Sequence, residues 1–167
     1  MYESPAEVAE LDRLLDASYA RAGAHLRGIH SEARRLRAAR LCELLVRVCI
    51  LDVATVSSRG EPRVAPLDGL FFHGRFVVGT SPTSLRFRHL ARNPAVSAAH
   101  TRGEELSVLV HGTAAPIDTN DPREEPLHDF FREIYGPQYD SWGFWGKAGF
   151  WRIEPRLMFA AAFKEVG

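Results

Sequence analysis

The spacing of the apolar residues changes once, near Ile50, and that change limits what the chain can fold into. Before it, Val8, Leu11, Leu15, Tyr19 and Leu26 recur near the 3.6-residue period of a helix. After it come short β-branched runs set apart by turn residues: ILDVATVSS, the turn SRGEP, RVAPLDGLFF, the turn HG, and RFVVGT. These are three strands in meander order. Pro66, inside the second, removes a ladder donor and implies an edge, a bulge or a bend there. AVSAAHT and ELSVLVHGTAAPI, joined by RGE, add two more strands, and FWRIEPRLMFAAAF adds a last one. Six strands with short turns and helices inserted at their ends predict a mainly β chain, a small antiparallel barrel with flanking helices.

The helices carry their own punctuation. Ser4, Pro5 and Glu7 supply an N-cap, an N1 proline and a capping-box acid for a first helix expected to end near Gly28. A second is expected from Ser31 through EARRLRAARLCELLVRV, with Leu36, Leu41, Leu44, Leu45 and Val48 on its apolar side. Its arginines Arg34, Arg35, Arg37 and Arg40 have acids nearby and no interleaved aromatics, so they read as a solvated face rather than a nucleic-acid surface. Asp121, Pro122 and Glu124 cap a further helix that buries Leu127, Phe130, Phe131 and Ile134 and stops at Gly136 and Pro137. At 167 residues, 46% of them hydrophobic, the chain has material for one core, so it reads as one domain: a helical extension over 1–48 and a barrel over 49–167.

Charge and motifs exclude several classes. Lysine plus arginine equals aspartate plus glutamate at 21 each, so no global field draws the chain to nucleic acid or a membrane surface, and any anion site must be local. No run of about 18 uncharged apolar residues occurs. The acidic opening MYESPAEVAELDRLLDAS lacks a leader's apolar core, and Cys42 and Cys49 form no CxxC, so a reducing, cytoplasmic setting is expected. His25 and His30 are five apart without HExxH or a clustered carboxylate, and no metal site is expected. GxSxG, GxGxxG and P-loop patterns are missing too.

GTSPTSLRFRHLARNP, residues 79 to 94, is the stretch with chemistry in it. A strand ending at Thr80 hands over to a short helix near Ser84, which sets hydroxyls and free backbone N–H groups at a helix N-terminus, the arrangement that binds anions. Arg86 and Arg88 sit in the first turn, where cations oppose the helix dipole unless a phosphate lies between them and the amides. The other reading is a plain N-cap with solvated arginines.

The order of these elements resembles the flavin-binding split barrel of the pyridoxamine 5′-phosphate oxidase-like family. The resemblance is carried by Gly60, Pro62 and Pro66 between the first strands, by Thr80, by Ser84 with Arg86, and by Leu90 with Asn93, Pro94 and Val96. It covers about residues 45 to 117 and the last strand, and leaves 1 to 44 outside. It implies a six-stranded antiparallel split barrel, a homodimer, and FMN as cofactor, with a deazaflavin coenzyme or haem as alternatives. It further implies that Thr80, Ser84, Arg86 and Arg63 hold a phosphate and that the backbone of Val64, Ala65, Pro66 and Leu67 lines the ring. Ser107 matches the position from which a partner subunit touches the cofactor, or is an ordinary strand serine; Trp151 is a candidate for the ring's surroundings, or a core aromatic. The implied activity is redox chemistry on a small molecule, or cofactor binding without catalysis. Arg88, Arg92 and Arg102 offer cations for a deazaflavin's polyanionic tail, but Glu104, Glu105 and zero net charge argue for FMN.

Overall fold

The computed structural model describes residues 2–164. Six strands, β1 (Cys49–Val56), β2 (Pro62–Phe72), β3 (Arg75–Thr80), β4 (Ala95–Arg102), β5 (Leu106–Ile117) and β6 (Gly149–Ala162), close into an antiparallel barrel in the order β1-β2-β3-β6-β5-β4. The six strands expected from the turn residues are all present. α1 (Pro5–Arg21) packs on β6, and α3 (Ala38–Leu44) packs on α1. α4 (Leu85–Arg92) lies against β1, while α5 (Glu125–Tyr135) and the single turn α6 (Tyr139–Trp142) belong to the segment between β5 and β6.

Alternation along the strands makes two cores. Inward residues such as Leu51, Val53, Phe71, Val78, Val108, Ile153 and Met158 fill the barrel, together with Leu11, Leu15 and Leu41 from α1 and α3. Their neighbours in sequence face outward: Leu70, Phe72, Val77, Ile117 and Phe150 form a second cluster under Leu127, Phe130 and Phe131 of α5. Burying each of those α5 side chains stabilises the docking by about 1.5–3 kcal/mol. The helix stops where expected, at Gly136, whose φ of 78° is a left-handed value.

Two helical expectations fail. The first helix carries its capping box, with Glu7 N–H donating to Ser4 Oγ and Ser4 N–H to the Glu7 carboxylate, but it ends at Arg21, and Gly23 separates it from α2 (Ala24–Ile29). The helix expected from Ser31 is broken: a 3₁₀ turn spans Glu32–Arg34, and α3 begins only at Ala38. Between them Arg35 bridges Ala161 and Leu36 N–H donates to the Ala160 carbonyl, so the chain is extended as a short rung on the end of β6. Tertiary pairing of these amides outweighs local helix propensity. The arginines of this segment are also not simply solvated. Arg35 lies over the Tyr19 ring, Arg34 over Phe163, and Arg37 pairs with Asp12 and Asp16.

Pro66 explains how the barrel splits. β2 pairs with β1 from Pro62 to Gly69 but with β3 only from Gly69 to Phe72. Residues 62–68 therefore have a strand on one side alone, and Pro66 sits in that edge segment, as its missing N–H requires.

Candidate functional site

β3 leaves β2 after the pair Gly69 and Val78, while on its other edge it stays paired with β6 to Thr80, opposite Gly149. The gap between the free edge of β2 and the end of β3 is filled from one side by the turn 81–84 and α4. α4 is held down by its own side chains: Leu90 is buried, His89 Nδ1 lies 3.0 Å from Thr55 Oγ1 of β1, and Phe87 meets Trp151 edge to face. Gly149 makes room for this, because a Cβ there would stand 2.3 Å from the Phe87 ring.

At the start of α4 the Ser84 hydroxyl accepts the Phe87 N–H at 3.1 Å and lies 3.0 Å from Thr80 Oγ1, so two of the expected residues meet. Thr80 is buried and Ser84 half-buried. Ser81 and Thr83 pair with each other at 2.8 Å in the exposed turn. Arg86 occupies the second position of the helix, half-buried, and among the described residues it has no carboxylate or hydrogen-bond partner. Burial lowers its pKa, which is the signature of a guanidinium stripped of some water without compensation. Arg88 and Arg92 are exposed.

The other expected residues are placed differently. Val64, Ala65, Pro66 and Leu67 lie on the one-neighbour segment of β2, whose outer edge faces no strand among the described residues. Arg63 starts that segment, but its guanidinium is exposed and paired with Glu61 at 2.6 Å. Trp151 is 5% exposed inside the barrel, with its indole N–H buried and without a partner among the described residues. Ser107 lies at the far end of β6 from Thr80, opposite Ala161, beside an open cavity of about 390 Å³ that also touches Thr101, Glu104 and Phe163. One chain does not bring Ser107 and Thr80 together. Arg102 is carried by β4 away from α4, and its guanidinium donates to the Leu44 carbonyl.

A further feature of the split escaped the sequence reading. Asp68 and Gly79 are the first positions past the last β2–β3 pair, and they open onto a cavity of about 200 Å³ beneath Phe131, Tyr135, Trp142 and Phe144. The density of aromatics between Phe130 and Trp151 was the available signal. Elsewhere among the described residues, no three or more His, Cys, Asp and Glu groups gather to hold a metal ion, and no helix is long and apolar enough to cross a membrane.

No family model and no curated protein matches the sequence. Solved structures match its fold. Rv2991, a conserved hypothetical protein from Mycobacterium tuberculosis, is 19% identical over 83% of this chain and 96% of that one, with a TM-score of 0.65. The heme storage protein HutZ from Vibrio cholerae is 18% identical over 74% and 93%, with a TM-score of 0.64. An FAD-binding protein from Mesorhizobium loti is 19% identical over 79% and 97%, with a TM-score of 0.61. The chain thus carries the split-barrel fold that its sequence motifs imply.

Proposed function

We propose that the chain is a cytoplasmic homodimeric flavoprotein that binds FMN in the split between β2, β3 and α4 and uses it for redox chemistry on a small molecule. The observation that carries the reading is Arg86: a half-buried, partnerless guanidinium on the first turn of a helix, two residues from a serine that already contacts Thr80. An anion there would satisfy the guanidinium, the hydroxyls and the first amides of α4 together. The free edge of β2 at Val64 to Leu67 offers unpaired backbone groups for the polar rim of a flat ring. When bound, the flavin supplies the two-electron chemistry, and the chain's part is to hold, orient and shield it.

A second copy is part of the proposal. Ile50 and Val64 project from the outer face of β1 and β2 and are 55% and 68% exposed, and no helix of the described residues covers them. Ser107 reaches the ring only if it comes from the partner subunit. FMN is favoured over a deazaflavin coenzyme because Arg102, one of the cations offered for a longer anionic tail, is tied to Leu44 at the other end of β4.

The test is a titration of the purified apoprotein with FMN, a deazaflavin coenzyme and haem at low and high salt, with light scattering on the same sample. FMN binding to a particle of twice 18.7 kDa is expected. Tighter, steeply salt-sensitive deazaflavin binding, a haem-type absorbance band, or a monomer that holds cofactor would each overturn the corresponding part of the reading.

A further inference from the structure

The cavity at the split has a chemistry of its own. Leu70 and Val77 form its apolar floor, and Phe131, Tyr135, Trp142 and Phe144 wall it on the side of α5 and α6. Gly79 closes it tightly, since a Cβ there would lie 2.8 Å from Phe150 and 3.0 Å from Phe144. Its volume of about 200 Å³ suits one ring with a short side chain, given that a dry cavity of about 150 Å³ holds benzene. That is too small for a tricyclic ring with its ribityl chain, so the cavity is not the cofactor's own seat.

The one charged residue lining it is Asp68, which among the described residues makes no ion pair and no hydrogen bond. Its charge acts inward: burial first, and then Asp68, push the Tyr135 phenol up to about 12. Lys147, the only lysine of the segment between β5 and β6, leans over Gly143 and does not line the cavity. An unpaired carboxylate at the rim and four electron-rich rings along the wall select the same charge sign, because both attract cations and neither rewards an anion.

We propose that this cavity is the substrate pocket of the split and that it takes a small aromatic amine in its protonated form, the ring among Phe131, Tyr135, Trp142 and Phe144 and the ammonium toward Asp68. Its place follows from the chain. Asp68 directly follows the Val64 to Leu67 edge, and Gly79 directly precedes Thr80, so the cavity adjoins the groups assigned to the cofactor. That its ligand is a substrate rests on the flavin reading; that it binds such a cation does not.

Calorimetric titration of the full chain, purified without added cofactor, with benzylamine, benzyl alcohol and benzoate at pH 7 and low salt tests it. Benzylamine should bind about ten-fold more tightly than benzyl alcohol, and benzoate more weakly than either. In Asp68→Asn, an exposed position where folding is not at stake, benzylamine should lose most of its advantage over benzyl alcohol while benzyl alcohol is unchanged. Equal binding of the three probes, a preference undiminished in Asp68→Asn, or no saturable binding of benzylamine up to about ten millimolar overturns the proposal. The two readings separate cleanly. Arg86→Ala should weaken FMN and leave benzylamine untouched; failure of the wild type to bind FMN refutes the cofactor reading, and failure to discriminate the amine refutes the cavity.

Discussion

On the side of the barrel covered by α1 and α3, Tyr19, Ser18 and Asp12 meet backbone partners as they lose water, whereas on α4 the half-buried Arg86 has none among the described residues. Tyr19 shows the first pattern: its hydroxyl donates to the Ala160 carbonyl at 2.9 Å and accepts the Ala160 N–H at 3.1 Å, alongside the Leu36 N–H that meets the same carbonyl. Ser18 takes the Met158 N–H and Asp12 the Ala38 N–H in the same way. Across the barrel, Arg86 is half-buried without a partner among the described residues, while residues 62–68 form a mostly exposed strand edge and Asp68 is an exposed carboxylate at the rim of a cavity. Burying a polar group without compensation costs free energy, and on the proposed reading an anion offsets that cost at Arg86. The helical layer outside the family-like region closes over the end of β6, and on the proposed reading the split is the receiving side.

The sharpest way to break this contrast is to damage each side and read both outputs. Leu41→Ala on α3 removes a side chain with no exposure, and it should cost about 2–5 kcal/mol of stability in denaturant melts while leaving FMN affinity within about two-fold. A large loss of affinity in material that is still folded would show that the closed layer shapes the site. Next in size, Arg86→Ala should weaken FMN by roughly ten- to a hundred-fold, the worth of charge-assisted hydrogen bonds of about 1.5–3 kcal/mol, without lowering the apoprotein's melting temperature. Arg37→Ala, an exposed arginine whose partners are the exposed Asp16 and the half-buried Asp12, should change neither output appreciably. Equal small effects of both arginines would return α4 to a capped, solvated helix.

The closed and the open side were not equally legible in the sequence. The strands could be read because SRGEP, HG and RGE punctuate them, and Pro66 allowed an edge, a bulge or a bend, of which the structure takes the edge. Ser84 was readable as a cap, and its meeting with Thr80 follows from a turn only three residues long. The 31–48 region misled because Arg35 and Leu36 have good helix propensity, and the backbone groups that recruit them lie on Ala160 and Ala161, more than a hundred residues away. The cavity was invisible for a related reason. Asp68 and Gly79 are ordinary strand residues until the registers of β2 with β1 and of β3 with β6 pull them apart, and no local pattern records where a pairing ends.

A smaller effect separates the two sides through pH. His30 touches the Tyr19 hydroxyl at 3.0 Å, and its pKa is lowered by burial and then by Arg35 and Arg34. The unfolded chain's histidine takes up a proton near pH 6.5, whereas the folded one resists it until lower pH. Stability is therefore fully present above about pH 6.5 and falls as the pH drops below it, because the unfolded state then binds more protons. His100 and His128, also lowered chiefly by burial, add to the same trend. The melting temperature should decline from pH 7 to 5.5, and His30→Asn should make the decline shallower by about one proton's worth. An unchanged slope would mean that His30 is not held neutral in the closed layer.

The smallest expected effect concerns Arg63, where the family resemblance and the structure pull in different directions. The resemblance gives it to the phosphate, yet its guanidinium rests on Glu61 at 2.6 Å, and both side chains are exposed. Exposed pairs of this kind are weak and exchange partners readily, so Glu61 acts as a mild competitor for a cation that the ligand could recruit. If Arg63 swings to the phosphate on binding, Glu61→Gln removes the competitor, and FMN should bind about two- to five-fold more tightly at low salt. The gain should vanish at high salt, because an exposed cation acting on a phosphate is screened within a Debye length of about 3 Å at 1 M. Arg63→Ala in the Glu61→Gln background should erase it as well. Unchanged affinity in Glu61→Gln at low salt would leave Arg63 outside the receiving side of the barrel, with Arg86 as the one arginine among those the resemblance implies that meets the phosphate.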